Sequence, residues 1–237
     1  MVDCDEIMAG RGSTRNPSSA GGGRKPGGGG GGGGGGGSRP SSGEASYSTA
    51  FSHIILAGTG TYCFQHLTSI CSCAFAYHIS RCSFIIVIVN SVIGVWRFGN
   101  PLYGASIDPL YGFTTAVQDL FVLPLVAATL LEKYGYPRDY IYATLSVPVI
   151  PLLSYLIGYE TVKTESEKLI AVLGCAGIAW LSFINDNYYG MATCASYIMI
   201  SFFVKESGDN SLKIPTQDLC NYAMCFFSYF ALRAILD

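Results

Sequence analysis

Charged side chains are scarce in this chain of 237 residues: they make up 13% of it, while half of the residues are hydrophobic. A typical soluble domain is about one quarter charged. Nine charged residues fall within residues 1–50, and most of the others lie in short clusters between apolar runs. An ionised group in hydrocarbon costs several kcal/mol, so this segregation indicates an integral membrane protein. The near-neutral net charge, with no long basic stripe, argues against nucleic acid as a partner.

Several catalytic and metal-binding motifs are also missing. The sequence has no Gly-x-Ser-x-Gly elbow and no His-Glu-x-x-His helix. Cys71-x-Cys73 lacks the second pair that a structural zinc site needs. The three histidines, His53, His66 and His78, all fall in the first apolar run, too far apart along one helix to bind a metal together. We therefore expect neither a metal nor another cofactor.

Residues 1–50 predict a disordered tail rich in Gly, Ser and Pro. Eleven consecutive glycines occupy residues 27–37, and glycine loses the most conformational entropy on ordering while burying nothing. Arg24, Lys25 and Arg39 could contact anionic lipid headgroups, although a low-complexity tail without a role is the simpler interpretation. The first residues are acidic and lack an apolar core, so we expect the first membrane helix to act as its own targeting signal.

Residues 51–237 predict an all-α fold, a polytopic transmembrane bundle of about seven spans. The apolar runs cover residues 52–78, 83–98, 113–131, 140–158, 169–184, 188–204 and 218–236. Several are shorter than the roughly 20 residues that span a bilayer, which slightly favours a thin membrane such as the endoplasmic reticulum. A soluble helical core is the alternative, but the second, third and fifth runs are apolar nearly all round and have no polar face to cover it.

The segments between the runs predict turns and the orientation of the chain. We predict a tight turn at residues 132–139, charged loops at 160–168 and 205–213, an interfacial loop at 100–114, and a turn at 185–187 that caps the next helix. With seven spans, six basic residues lie on the side of the tail: Arg39, Arg97, Lys163, Lys168, Lys205 and Lys213. Four lie on the opposite side: Arg81, Lys133, Arg138 and Arg233. This excess favours a cytoplasmic N-terminus.

Polar residues inside apolar runs are the first candidates for function in a membrane protein. Asp119 is the only acidic residue well inside a run, roughly 9 Å from the start of its helix, and Asn90 lies roughly 12 Å from the same face on the preceding helix. Gln118 and Thr115 flank this pair, and Asn221 approaches from the same face at a shallower depth. These five residues either line a proton- or solute-binding cavity or form interhelical hydrogen bonds that aid packing.

Prolines and small residues predict irregularities and close contacts among the later helices. Pro124, Pro148 and Pro151 each remove an amide donor, which breaks or kinks a helix. Broken helices mark substrate sites in transporters, although a packing kink is the simpler interpretation. The fifth and sixth runs predict a tightly packed hairpin, because they carry the small residues Gly174, Gly177, Gly190, Cys194 and Ser196.

These features leave three classes of function. One is a small transporter or a protein that binds a proton or small solute at Asp119, and the second is a membrane scaffold or assembly factor. The last class, an enzyme or a receptor, is disfavoured for two reasons. The third and seventh runs lack the motifs of rhodopsin-like receptors. Seven-helix zinc hydrolases require histidines on their late helices, and this chain has no histidine after His78. The expected partners are the lipid bilayer and either a small solute or another membrane protein.

Overall fold

The computed structural model of the protein describes residues 47–70, 75–100, 104–204 and 216–237. The predicted tail lies outside the described residues, except that residues 47–50 already belong to the first helix. The described residues contain helices and turns and no strand, so the predicted all-α fold is confirmed. The helices are α1 Tyr47–Ile70, α2 Phe75–Gly99, α3 Asp108–Lys133, α4 Arg138–Ser146, α5 Val149–Leu156, α6 Glu160–Ile184, α7 Tyr188–Ile198 and α8 Thr216–Leu236, with a 3-10 turn at Gly104–Ile107 and a π-helical turn at Met199–Val204.

Four of the described helices, against the seven spans predicted, are long and apolar enough to cross a membrane. They are the spans Tyr77–Gly99, Asp108–Lys133, Thr161–Ile184 and Thr216–Leu236. Their outward faces expose large apolar side chains, among them Ile85, Val92, Leu173 and Phe183, as expected where hydrocarbon is the solvent. α1 is as long as these helices but is not among the four, and the fourth and sixth runs form shorter or irregular helices.

The sequence predicts that the first apolar run forms one helix, but the structure divides it between two. α1 ends at Ile70 and α2 begins at Phe75, so His78 stands on α2. A single helix of 27 residues would be about 40 Å long at 1.5 Å per residue, well over the roughly 30 Å of hydrocarbon that it has to cross. His53, near the beginning of α1, is fully buried.

Only one of the three predicted helix-breaking prolines lies at a break. Pro148 precedes α5 and separates it from α4, because proline has no amide hydrogen to continue the helix. Pro151 lies in the first turn of α5, where the amides have no intrahelical acceptor in any case. Pro124 is buried inside α3, which is assigned as one continuous helix. The third run therefore has no break at Pro124, and a kink there stays a prediction.

Two predicted loops are instead the first turns of helices. α6 begins at Glu160, so residues 160–168 are helical; their glutamates and lysines are good helix formers, and Lys168 pairs with Glu165 at 3.1 Å. Residues 108–114 open α3, with Pro109 in its first turn. The predicted turn at 132–139 and the cap at 185–187 are confirmed, since the Asn187 side chain accepts a hydrogen bond from the Gly190 amide at 3.1 Å.

α3 is the most deeply buried of the four candidate spans. α2 runs antiparallel to it, since Asn90 contacts the beginning of α3 while Ile79 packs near Leu125. α1 and α8 are parallel neighbours, because Ser48 contacts the first turn of α8 and Cys63 bonds the Ser228 carbonyl farther along. α1, α3 and α8 therefore begin at one end of the bundle, where α2 finishes. We call this the N-terminal end and the opposite one the C-terminal end.

Candidate functional site

A buried carboxylate lies between α1 and α8 at the N-terminal end. The Asp218 side chain is on a residue only 1% exposed, and the Ser48 hydroxyl donates to its Oδ2 at 2.5 Å. Ser52 Oγ lies 3.3 Å from Oδ1 and 2.9 Å from the Thr49 carbonyl oxygen. Both oxygens therefore compete for the single hydroxyl proton of Ser52. Asn221 completes this α1–α8 cluster by donating to Ser52 Oγ at 2.9 Å. Oδ1 of Asp218 therefore has a weaker donor than Oδ2.

His53, the residue after Ser52, fills a slot between α1, α2 and α3. Its ring stacks on Phe98 at 5.7 Å between centroids and meets the edge of Tyr111 at 5.8 Å. The Tyr111 hydroxyl lies 3.3 Å from His53 Nε2, whereas Nδ1 is buried without a hydrogen-bond partner. A β-carbon on Gly94 would lie 2.6 Å from three ring atoms of His53, so only glycine leaves room for the imidazole here.

A second polar cluster joins α2 to α3. Asn90 Nδ2 donates to Gln118 Oε1 at 3.0 Å, and Asn90 Oδ1 accepts from Thr114 at 2.8 Å and Thr115 at 3.2 Å. Thr114 also donates to the backbone carbonyl of Tyr111, one turn earlier on α3, at 3.1 Å. Tyr111 thus touches both His53 and this α2–α3 cluster. Together the two clusters and the His53–Tyr111 pair form what we call the polar core.

The N-terminal end of the polar core is covered by an arginine. Arg97 Nε lies 2.6 Å from Asp108 Oδ1, which ties the end of α2 to the start of α3. The same guanidinium lies over the rings of Phe98 and Tyr111, 4.7 Å and 4.6 Å from their centroids. Such cation–π contacts strengthen as the groups lose water. Arg97 therefore helps to hold both rings that enclose His53.

The structure brings together three of the five predicted site residues. Asn90, Gln118 and Thr115 are in direct contact, as their similar depth predicts. Asn221 belongs instead to the α1–α8 cluster. Asp119 is only partly buried, and what joins it to α7 is its backbone carbonyl, which accepts a hydrogen bond from Tyr197 at 3.1 Å.

Sequence reasoning missed the acidic residue that the structure encloses most. Asp218 is the first residue of the seventh run, so its position predicts the end of a span and not the interior. Tyr111 falls in the predicted interfacial loop at residues 100–114. A helical period was the available signal: Ser48 and Ser52 are four residues apart, and Asp218 and Asn221 three, so each pair shares one helix face. That signal does not tell which two helices meet.

Replacing Asn90 with leucine is expected to destabilise the bundle by about 1–3 kcal/mol. The substitution removes three interhelical hydrogen bonds and leaves the acceptor of Gln118 and the hydroxyl of Thr115 in a buried setting. Thermal unfolding in mild detergent measures the effect. Thr61→Ala is the control, since its hydroxyl bonds only the Ala57 carbonyl of its own helix, at 2.8 Å; equal losses in both variants would contradict an interhelical role for Asn90.

Two cavities lie outside the polar core. One is a groove of about 470 Å³ between α1 and α8, and the other is a cleft of about 210 Å³ near Lys133 and Asn187 at the C-terminal end. Within the described residues no three His, Cys, Asp or Glu side chains are placed to hold a metal ion. Comparisons of the chain with protein-family models, with curated proteins and with solved structures give no match, so the function has to be argued from this geometry.

Proposed function

We propose that this protein binds a proton inside its helical bundle, on the Asp218 carboxylate, and that proton binding or transport is its activity. The observation that carries the proposal is the uneven hydrogen bonding of that carboxylate. Oδ2 has a short bond from Ser48, while Oδ1 competes with the Thr49 carbonyl for the single Ser52 proton. A proton on Oδ1 would donate to Ser52 Oγ and satisfy both atoms.

Charge supports the same assignment. An ionised carboxylate away from water costs several kcal/mol unless a cation or several donors compensate it. Among the described ion pairs, Arg97 binds Asp108, Arg233 binds Asp237, and Lys168 binds Glu165. None of these reaches Asp218. A bound proton would remove the cost of the buried charge.

The polar core supports a proton over a larger solute. Asn90 bonds Thr114, Thr114 bonds the Tyr111 carbonyl, and the Tyr111 hydroxyl reaches His53. Both cavities described above are lined by other residues. Protons pass along hydroxyl, imidazole and carboxyl groups without a cavity, whereas a solute needs space. The same interior could serve passage of a proton between Asp218 and the α2–α3 cluster.

Infrared difference spectroscopy of the full chain in nanodiscs tests the proposal. The difference between the wild-type and Asp218→Asn spectra should contain the C=O band of a protonated carboxylic acid, because asparagine keeps the volume but cannot bind a proton. Asp119→Asn is the matched control and should leave the band in place. Proteoliposomes loaded with a pH-sensitive dye then report whether the bound proton crosses the membrane.

Two results would contradict the proposal. If the band survives in Asp218→Asn, another group binds the proton. If the wild-type protein gives no such band but is stabilised by sodium or lithium, Asp218 binds an alkali cation instead; a ligand at one hundred times its Kd adds about 2.7 kcal/mol to stability, which thermal unfolding detects.

A scaffold is the second candidate, and the close packing of the interior favours it. Gly94 leaves no space beside His53, and the hydrogen bonds within the α2–α3 cluster already satisfy the Asn90 amide. A polar core of this kind also holds helices together without binding anything. The absence of both the infrared band and any cation effect, with Asp218→Asn still destabilising the bundle, would establish this second function.

A further inference from the structure

We infer that the groove between α1 and α8 binds one hydrocarbon chain of a membrane lipid. The groove has a volume of about 470 Å³ and is lined by Gly58, Thr59, Tyr62, Cys225, Phe226 and Tyr229. Gly58 faces open space, since a β-carbon there would meet no atom within 4 Å. This site is separate from the polar core.

The groove offers a ligand apolar atoms and few free polar groups. The Thr59 hydroxyl bonds the Ile55 carbonyl of its own helix at 3.0 Å. Besides the hydroxyls of Tyr62 and Tyr229, the lining offers mostly apolar atoms. A hydrocarbon chain needs no hydrogen bond, whereas a polar ligand would find few partners there.

The position of the groove supports a lipid chain. α8 is one of the four helices long and apolar enough to cross a membrane. Phe226 and Tyr229 lie roughly 15 and 20 Å along its length of about 32 Å, at 1.5 Å per residue, which is the depth of the acyl chains. Hydrocarbon is the solvent at this depth. A partner helix is the alternative occupant. An α-helix with its side chains is 10–12 Å across, so the projecting walls of the groove would keep it from reaching Gly58.

Aromatic contacts hold those walls in place. Tyr62 stacks on His66 at 5.7 Å between ring centroids, and Phe230 contacts both Phe226 and Tyr229. Tyr62, Phe226 and Tyr229 are nevertheless 53%, 60% and 44% exposed. Side chains that are supported from behind and exposed in front form a preformed cleft, and preformed sites lose less entropy when a flexible chain binds.

Photocrosslinking of the full chain in nanodiscs tests this inference. The probe is a phospholipid with a diazirine at the middle of one acyl chain, and the readout is peptide mapping by mass spectrometry. Labelling of Tyr62 and Cys225 should exceed that of Trp180 and Phe183, which are exposed on α6 without a groove. Gly58→Leu should reduce labelling in the groove several-fold by filling it. Gly177→Leu is the matched control, because that glycine too has no atom within 4 Å.

Phe226→Ala provides a second variant that spares the fold, since it shortens an exposed wall side chain; it should also lower labelling several-fold. Equal labelling of all outward faces would overturn the inference, as would groove labelling that neither variant changes. No groove labelling in a protein that is dimeric in the nanodisc would assign the groove to a partner helix instead.

Discussion

Replacing Gly190 with alanine is expected to destabilise the protein by about 1–3 kcal/mol, the usual range for overpacking. The new β-carbon would overlap Ser182 Oγ and would lie 2.8 Å from Ser182 Cβ. The hydroxyl can rotate away, but the Ser182 β-carbon is fixed to the α6 backbone. α6 and α7 would therefore have to move apart, and thermal unfolding in mild detergent measures the cost.

A second substitution separates this clash from other effects of the alanine. Ser182→Gly removes both atoms that the new methyl meets, so the double variant should recover much of the loss, less the cost of roughly 1 kcal/mol for a glycine inside a helix. Gly177→Ala is the control on α6 and should be neutral or slightly stabilising, since nothing lies within 4 Å of its β-carbon. A Gly190→Ala protein as stable as the wild type would show that the two helices are less tightly packed.

Gly94→Ala is expected to have an effect of similar size and also to disturb the polar core. Its β-carbon would lie 2.6 Å from the His53 ring, and Phe98 and Tyr111 block the ring on other sides. The imidazole therefore cannot step aside without breaking its contact with Tyr111. We expect about 1–3 kcal/mol less stability and, if the polar core carries protons, slower dye acidification in proteoliposomes.

Gly99→Ala is the matched control on the same helix, because its β-carbon would have an ordinary contact of 3.7 Å with Ala50. His53→Ala in the Gly94→Ala background tests the cause of the effect. If the clash is responsible, the double variant loses less stability than the two single variants together. Strict additivity would mean that Gly94 acts through something other than His53.

The hydropathy of the sequence predicts the positions of most of the long helices, because a bilayer strongly constrains which segments can cross it. A run of apolar residues must be helical where no water satisfies the backbone, so the cores of α2, α3, α6 and α8 follow from the sequence. The ends do not. Glu160 and Asp108 are polar enough for a loop, yet both begin a helix, since helices extend past the hydrocarbon into water at no cost.

The polar core was predictable only within one hairpin. Asn90 and Gln118 lie on consecutive antiparallel helices, so counting residues from a shared membrane face places them at one level. Asp218 and Ser48 are 170 residues apart, and no count along the chain relates them. Which helices become neighbours depends on packing among all of them, and for α1 the side-chain pattern alone does not identify α8 as its partner.

The pairing of the first and last described helices also constrains the order in which the protein matures. When α1 leaves the ribosome, its serines and His53 face the lipid or an incomplete bundle, because Asp218 and Asn221 have yet to be synthesised. α2 can shield the side of α1 that carries His53, because Gly94 of α2 lies against that ring, but the other side stays uncovered until α8 inserts. Translation adds about 5–20 residues per second, so this waiting time is on the order of ten seconds or more. A protein that holds nascent membrane helices would find its binding surface on α1 during that interval.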